Sequence, residues 1–207
     1  LGIGQGYNAF TMLQLAQATA TLANNGVRYP PRLVSATVDA VSGTKTASPV
    51  AAPVNLGLSQ AHIGLIHEAM VGVTLAGTSA RVFAGAAYAS AGKTGTAQAV
   101  GIGQNEKYDA SKIAEHLRDH ALYIAYAPAD KPTIALAMVV ENAGFGAEHA
   151  APIARRVLDY WLSGKYPNEQ DMEAVSKGQA SAPIGVPRNA ADVVWPPVRP
   201  VASPVAP

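Results

Sequence analysis

The chain predicts an α+β fold, an antiparallel sheet packed between helices, and three observations carry that prediction. Two amphipathic patterns of helical period occupy the first 77 residues. Two apolar runs follow between residues 120 and 141, split by a short turn bracketed by prolines, and a third helical pattern comes after them. The order helix, helix, strand, strand, strand, helix leaves no parallel β-α-β run. With 49% apolar residues and a mean hydropathy of +0.11, the chain has the means to bury a core.

Each element has a local cause. Thr11 and Gln14 form a capping-box pair, and Met12, Leu15, Ala16, Thr19, Leu22 and Ala23 keep helical spacing to a stop at Gly26, which predicts a helix over about residues 11–25. Residues 29–40 are β-branched and flanked by proline, and Ser42-Gly43 reads as a turn, so a short strand or hairpin is expected before a loop rich in Ala and Pro. Ser59 is placed to cap a second helix whose apolar face runs through Ile63, Ile66, Met70 and Val73 and which ends near Gly77. Small residues dominate 88–100, with Gly92 and Gly95 inside, as suits a strand whose backbone is closely approached. Residues 105–119 hold seven charges in 15 positions and predict an exposed excursion with a short helix. Segments 120–127 and 133–141, joined through Pro128-Ala129-Asp130-Lys131-Pro132, predict antiparallel strands. Ile153, Val157, Leu158 and Trp161 give the apolar stripe of a helix over 147–162.

Residues 1–165 hold all of these patterned elements. Residues 166–207 read as a Pro- and Ala-rich, extended or disordered tail, since seven of the 15 prolines fall in the last 25 positions. Fifteen Lys and Arg against 14 Asp and Glu leave a formal charge of +1, with no electrostatic attraction for nucleic acid or an anionic membrane surface. The absence of cysteine removes disulfides, thiol nucleophiles, Cys-ligated zinc and iron–sulfur clusters, while leaving the compartment open. The longest strongly apolar run, 133–140, is far short of the roughly 20 residues of a membrane span. Leu1 stands in mid-pattern with no initiator Met, as expected of a piece of a longer protein.

The most informative string is Lys93-Thr94-Gly95-Thr96, preceded by Gly92 and followed by Ala97-Gln98. A lysine on a glycine-flanked edge strand, with two hydroxyls beside it, supplies fixed positive charge and donors for a carboxylate. Gly95 lets an extended peptide lie against the strand. Lys-Thr-Gly is also one of three signatures of penicillin-binding proteins and class A β-lactamases.

Further strings occur in order: Gly4-Gln5-Gly6-Tyr7, Ala76-Gly77-Thr78, Gly92 to Gln98, Lys112-Ile113-Ala114-Glu115 with Leu117-Arg118-Asp119-His120, Ala127-Pro128, and Val140-Glu141-Asn142 before Ala151-Pro152-Ile153-Ala154. Together, from residue 1 to about 162, they resemble the penicillin-binding protein 2 family, the elongation-class monofunctional transpeptidases. Residues 112–120 and Gln5-Gly6-Tyr7 favour that class over the division-class paralogue. The resemblance implies the penicillin-binding-protein transpeptidase (serine β-lactamase-like) fold, incomplete in this chain, with residues 1–165 as the C-terminal part of the domain. It implies a serine-type D-Ala-D-Ala transpeptidase that cross-links peptidoglycan stem peptides through an acyl-serine during cell-wall elongation, with β-lactam antibiotics as substrate mimics. The implied location is the periplasmic face of the bacterial inner membrane, with the anchor outside this chain. The implied partners are stem peptides, the missing N-terminal half of the same domain and other cell-wall elongation proteins. Lys93 and Thr96 become the catalytic candidates, Lys93 by positive potential and proton movement, Thr96 by an N–H that completes an oxyanion hole with that of the nucleophile. Thr94, Gly95 and Thr96 become the substrate-binding candidates, the Thr96 hydroxyl holding the substrate carboxylate and Thr94 taking a lesser share.

Two features run against this pattern. The family needs the serine of Ser-x-x-Lys at a helix start and a Ser-x-Asn loop, both upstream of Gln5-Gly6-Tyr7, so the fragment alone is expected to be inactive. The Ser-x-x-Lys strings present, Ser42 to Lys45 and Ser90 to Lys93, lie in a turn and in the strand itself, and no Ser-x-Asn occurs. Strand alternation also sets Lys93 and Gly95 on one face and Thr94 and Thr96 on the other, so a cluster of Lys93 with the Thr96 hydroxyl calls for strong twist or a bulge. Two other readings stand beside this one. Ala87 to Thr94 satisfies a relaxed phosphate-loop pattern, but such a loop must open a helix, and Gly95 and its β-prone surroundings do not. A non-catalytic peptide-binding module is the second. No motif calls for a cofactor. His116 and His120 have i, i+4 spacing but no evident third ligand, and structural roles are favoured for them.

Overall fold

The computed structural model describes residues 8–99, 101, 108–109, 112–177 and 185–193. Helix α1 (Met12–Ala23) begins with the expected box: Gln14 N–H donates to Thr11 Oγ1, and Thr11 N–H donates to the Gln14 side-chain oxygen. It stops where Asn25 and Gly26 take left-handed backbone angles, φ 55° and 85°. Strand β1 (Val27–Arg28) follows, then the hairpin of β2 (Ala36–Val38) and β3 (Lys45–Ala47), and β4 (Val54–Asn55), which pairs back on β1.

Helix α2 (Gln60–Leu75) is capped by Ser59, as the sequence predicts. Its buried ridge is shifted from the predicted one: Ile63, Met70 and Thr74 are buried, His67 is half-buried, and Ile66 is exposed. The cause is polar satisfaction. The His67 ring nitrogen lies 2.7 Å from the Tyr126 hydroxyl, and the Thr74 hydroxyl donates to Ser90 O at 2.7 Å, so both polar side chains turn inward at no cost in lost hydrogen bonds.

A one-turn helix α3 (Ala80–Phe83) leads to the central sheet of β5 (Ala91–Ala97), β6 (His120–Ala127) and β7 (Ile134–Val140), antiparallel in the order β5-β6-β7. One face packs Ala91, Ile124, Tyr126 and Ala135 against Leu22 and Ala23 of α1 and Met70 and Val71 of α2. The other packs Ala121, Tyr123, Ala125 and Ala127 against Val82, Phe83, Ala150, Ala151, Ala154 and Leu158. Those last four come from the segment α4 (Gly146–His149) to α5 (Ala151–Ser163), so the sheet lies between two helical layers as predicted. Of the expected α5 stripe, Leu158 is buried but Val157 and Trp161 are exposed. The inward face carries Arg155 and Asp159, paired at 2.8 Å. Arg155 also donates to Val82 O and Ala84 O, and Tyr88 donates to Asp159. A self-satisfied ion pair can be buried, and in sequence it reads as solvent face.

Beyond α5, β8 (Lys165–Tyr166) pairs with β9 (Arg188–Asn189), and α6 (Glu169–Ser176) is bound to α5 by Arg156 and Asp171. Part of the segment read as tail therefore carries secondary structure. Residues 178–184 and 194–207 lie outside the described residues, as do Gly4 to Tyr7 and most of 102–111. Within 105–119, a 3-10 turn covers Glu115–Leu117.

Candidate active site

Strand β5 is an edge strand, paired with β6 alone in its sheet, in a register that runs without interruption from Ala91 opposite Tyr126 to Ala97 opposite His120. There is no bulge, so the side chains of Lys93 and Gly95 fall on the face toward α1 and α2, and those of Thr94 and Thr96 on the opposite face. The structure does not bring the Lys93 ammonium and the Thr96 hydroxyl onto one face. Instead Lys93, exposed, curls along the rim and donates from Nζ to Thr94 O at 2.8 Å. Because backbone groups alternate along an antiparallel ladder, the Thr94 carbonyl and the Thr96 N–H point to the same side of the strand. The strand thus brings a cation, a carbonyl and an N–H together within four residues, with Thr94, Gly95 and Thr96 half-buried.

The glycines are accounted for within the chain. A Cβ at Gly92 would lie 2.2 Å from the Tyr123 hydroxyl, a fully buried group. Tyr123 donates to Ser79 Oγ at 2.9 Å, and Ser79 donates to Val73 O at 3.2 Å. Burial raises the Tyr123 phenol to about 12. Behind Gly95 sits Gly146, the first residue of α4: a Cβ there would lie 2.3 Å from Leu122 O and 2.6 Å from Gly95 O. Beside the strand, Thr78 Oγ1 is 3.1 Å from Thr94 Oγ1. Tyr123, Ser79, Thr78 and Gly146 therefore set the position of β5; sequence reasoning gave none of them a role there, and Thr78 entered it only within the string Ala76-Gly77-Thr78. One signal was available for Tyr123: alternation along 120–127 turns it inward, and a buried tyrosine hydroxyl needs a partner.

Neither Ser-x-x-Lys string has the setting of a nucleophile. Ser42 closes the β2–β3 turn, donating to Asp39 Oδ1 at 2.8 Å, and Asp39 in turn is held below the usual carboxylate range by the Ser42 and Val41 N–H groups. Ser90 is buried just before β5, three residues from Lys93 and thus on the other side of the strand. Lys93 continues into a strand, not a helix, which overturns the phosphate-loop reading. His120 Nδ1 accepts the Asn142 N–H at 2.9 Å, and no metal-binding group of three side chains occurs among the described residues. A groove of about 680 Å³ on the outer side of α5, lined by Val157, Tyr160, Trp161, Tyr166 and Met172, is remote from β5 and holds no acid–base pair.

Residues 1–159 match the family described as "Penicillin binding protein transpeptidase domain". Among similar proteins, the peptidoglycan D,D-transpeptidase MrdA of Haemophilus influenzae is 41% identical over 169 residues, 81% of this chain and 26% of that protein. MrdA of Escherichia coli is 37% identical over 184 residues, 88% of this chain and 28% of that protein. Of solved structures, Pseudomonas aeruginosa PBP2 in complex with WCK 5153 superposes with a TM-score of 0.61 at 36% identity, covering 82% of this chain and 32% of that one. The imipenem acyl-enzyme of penicillin-binding protein A from Mycobacterium tuberculosis gives 0.61 at 31% identity, covering 78% and 33%. The chain thus spans about a quarter to a third of the proteins it matches. It belongs to the penicillin-binding protein transpeptidase family, and its sequence is of the PBP2 type.

Proposed function

We propose that the protein carrying this chain is a peptidoglycan D,D-transpeptidase of cell-wall elongation that joins stem peptides through an acyl-serine intermediate and is acylated by β-lactams. The observation that carries this reading is edge strand β5, where Lys93, the Thr94 carbonyl and the Thr96 N–H stand in a row on a strand paired along its length with β6. A backbone donor on such a strand is preorganised for charge that develops on a carbonyl oxygen in the transition state. In this reading Thr96 N–H is one half of an oxyanion hole, its partner being the N–H of a serine outside this chain. Lys93 lends positive potential to the attacking hydroxyl and to the substrate carboxylate. Thr94 and Thr96, which share a face, offer hydroxyls to that carboxylate, and Gly95 between them keeps the edge low enough for an extended peptide. The acyl-enzyme complexes known for Mycobacterium tuberculosis penicillin-binding protein A support acylation by β-lactams here.

The same reading locates the site at the periplasmic face of the inner membrane. Among the described residues no helix is long and apolar enough to cross a membrane, and we assign the anchor to sequence outside this chain. The remaining helices and the nucleophile come from the other part of the domain, which makes that part this chain's first partner, with other elongation proteins beyond it.

The test is mass spectrometry after incubation with a fluorescent penicillin. The full-length protein takes one adduct on a serine outside this chain, and the isolated 207 residues take none. An adduct on Ser42 or Ser90 of the isolated chain, or no adduct on the full-length protein, refutes the reading.

A further inference from the structure

The loop that follows α2 turns back tightly onto the sheet, and it does so only because residue 77 is glycine: a Cβ there would lie 2.7 Å from Val73 Cα, a backbone atom. Gly77 N–H donates to Gly72 O at 2.9 Å, and Ser79 N–H to Val73 O at 3.2 Å, so the turn is held by its own backbone. Two hydroxyls then follow in succession. Ser79 is buried and serves the Tyr123 hydroxyl that underlies Gly92. Thr78 is exposed and sets its Oγ1 3.1 Å from that of Thr94.

Two facing hydroxyls need only one hydrogen between them, and each threonine oxygen has one hydrogen and two lone pairs. We propose that Thr78 is a positioning residue for substrate recognition: it donates to Thr94 Oγ1 and thereby turns the Thr94 O–H outward, as a donor to the carboxylate of a peptide or β-lactam. This rests on the transpeptidase reading given above. In this reading Thr78 acts through Thr94. A carboxylate accepts only, so its presence beside Thr94 selects the sense in which Thr94 donates to the anion and Thr78 to Thr94, and each bond of such a chain polarises the next. Thr94 is β-branched with few χ1 states, and a partner on a loop fastened through Gly77 and Ser79 holds one of them. The Thr94 carbonyl is fastened at the same time by Lys93 Nζ at 2.8 Å, so both ends of this residue are tied before a ligand arrives.

The experiment uses the full-length protein with Thr78→Val, which keeps the shape and removes the donor, and Thr78→Ser, which keeps the donor. The kinetics of acylation by benzylpenicillin separate the reversible binding constant from the first-order acylation step. Thr78→Val weakens reversible binding by roughly three- to tenfold, the size of one net hydrogen bond, and leaves the acylation step within about twofold. Thr78→Ser restores binding. For the methyl ester of the same penicillin, whose neutral carbonyl is a weaker acceptor, the parent and Thr78→Val bind alike. Equal binding of the free acid by Thr78→Val and the parent overturns the proposal, as does an equal loss for acid and ester, which marks a general disturbance of the loop. If the unsubstituted protein forms no serine adduct at all, the transpeptidase reading fails and the proposal with it. A normal adduct with an unmoved Thr78→Val variant refutes the proposal alone.

Discussion

Gly146→Ala is the substitution for which the structure sets the sharpest expectation. The added methyl would lie 2.3 Å from Leu122 O, 2.6 Å from Gly95 O and 3.1 Å from Gly95 N. Relaxed carbon-to-oxygen contacts lie near about 3.3 Å, so α4 must back away by about 1 Å. The obstacles are backbone atoms of two paired strands, which no rotamer change can clear. A retreat of that size opens a gap between the sheet and Ala150 and Ala151, both fully buried, and a gap of about 0.5–1 Å forfeits a quarter to a half of each contact's dispersion energy. Overpacking in rigid surroundings costs about 1–3 kcal/mol, and this site belongs at the upper end. At about 2–4 °C per kcal/mol for a chain of this size, the midpoint of thermal unfolding falls by roughly 6–12 °C. Gly64→Ala is the matched control. Gly64 lies inside α2 with nothing within 4 Å of the added methyl, so helix propensity alone acts and stability rises by about 0.5–1 kcal/mol. Leu122→Ala does not rescue Gly146→Ala, because the colliding atom is the Leu122 carbonyl. Melting curves by far-ultraviolet circular dichroism read all three, and a Gly146→Ala midpoint within about 1 °C of the parent refutes the contact.

Lys93→Ala in the full-length protein slows penicillin acylation by about 10²–10⁴-fold at neutral pH while the melting temperature holds, because Lys93 is exposed and its bond is to a rim carbonyl; equal acylation rates remove it from the mechanism. Asp159→Ala leaves the Arg155 guanidinium buried without its counter-charge and lowers stability by about 3–5 kcal/mol in urea unfolding, and a loss under about 1 kcal/mol contradicts the buried pair. Tyr123 titrates near 12 in the folded chain against an ordinary value near 10, so the unfolded chain loses its proton first. The stability it contributes is complete below pH 10 and is lost as pH climbs toward 12. Tyr123→Phe flattens part of that alkaline decline in pH-dependent melts, the rest staying with Tyr88, which burial and the Asp159 carboxylate raise, and with Tyr126, which burial raises. Ending the chain at Lys177 removes β9 and the Ala190 and Val193 wall beside Tyr160, Trp161 and Met172, so the midpoint falls by a few degrees; an unchanged midpoint shows that this wall adds nothing to stability.

The fold was legible where a single local rule decides. The Thr11 and Gln14 box, the Ser59 cap, and the proline-bracketed turn between β6 and β7 each act over a few residues, and each appears where the sequence set it. What the sequence hid is of one kind: polar groups turned inward because distant residues satisfy them. Ile66 gave way to His67 on α2 because Tyr126, 59 positions on, supplies a hydroxyl. Val157 and Trp161 gave way to Arg155 and Asp159 on α5 because the carbonyls of Val82 and Ala84 and the hydroxyl of Tyr88 complete the pair. Hydrophobic periodicity reads a charged pair as solvent, and only the fold reveals its partners.

The same division holds at β5. That Lys93-Thr94-Gly95-Thr96 lies on a sheet edge follows from composition and spacing, and so does the alternation that separates Lys93 from the threonine hydroxyls. What fastens the strand does not. Thr78 and Ser79 reach it from the end of α2 and Gly146 from the start of α4, 16 to 51 positions away from the residues they meet. The constraint runs through the small residues: glycine at 92 admits the Tyr123 hydroxyl, glycine at 77 admits the return of α2, and glycine at 146 admits α4 against the backbone of Gly95. A larger residue at any of the three collides with what packs there: the Tyr123 side chain at 92, the backbone of α2 at 77, and the backbone of Gly95 and Leu122 at 146. The edge donors are therefore held in place by packing behind them, and the groups that offer chemistry on one side of the strand depend on absent side chains on the other.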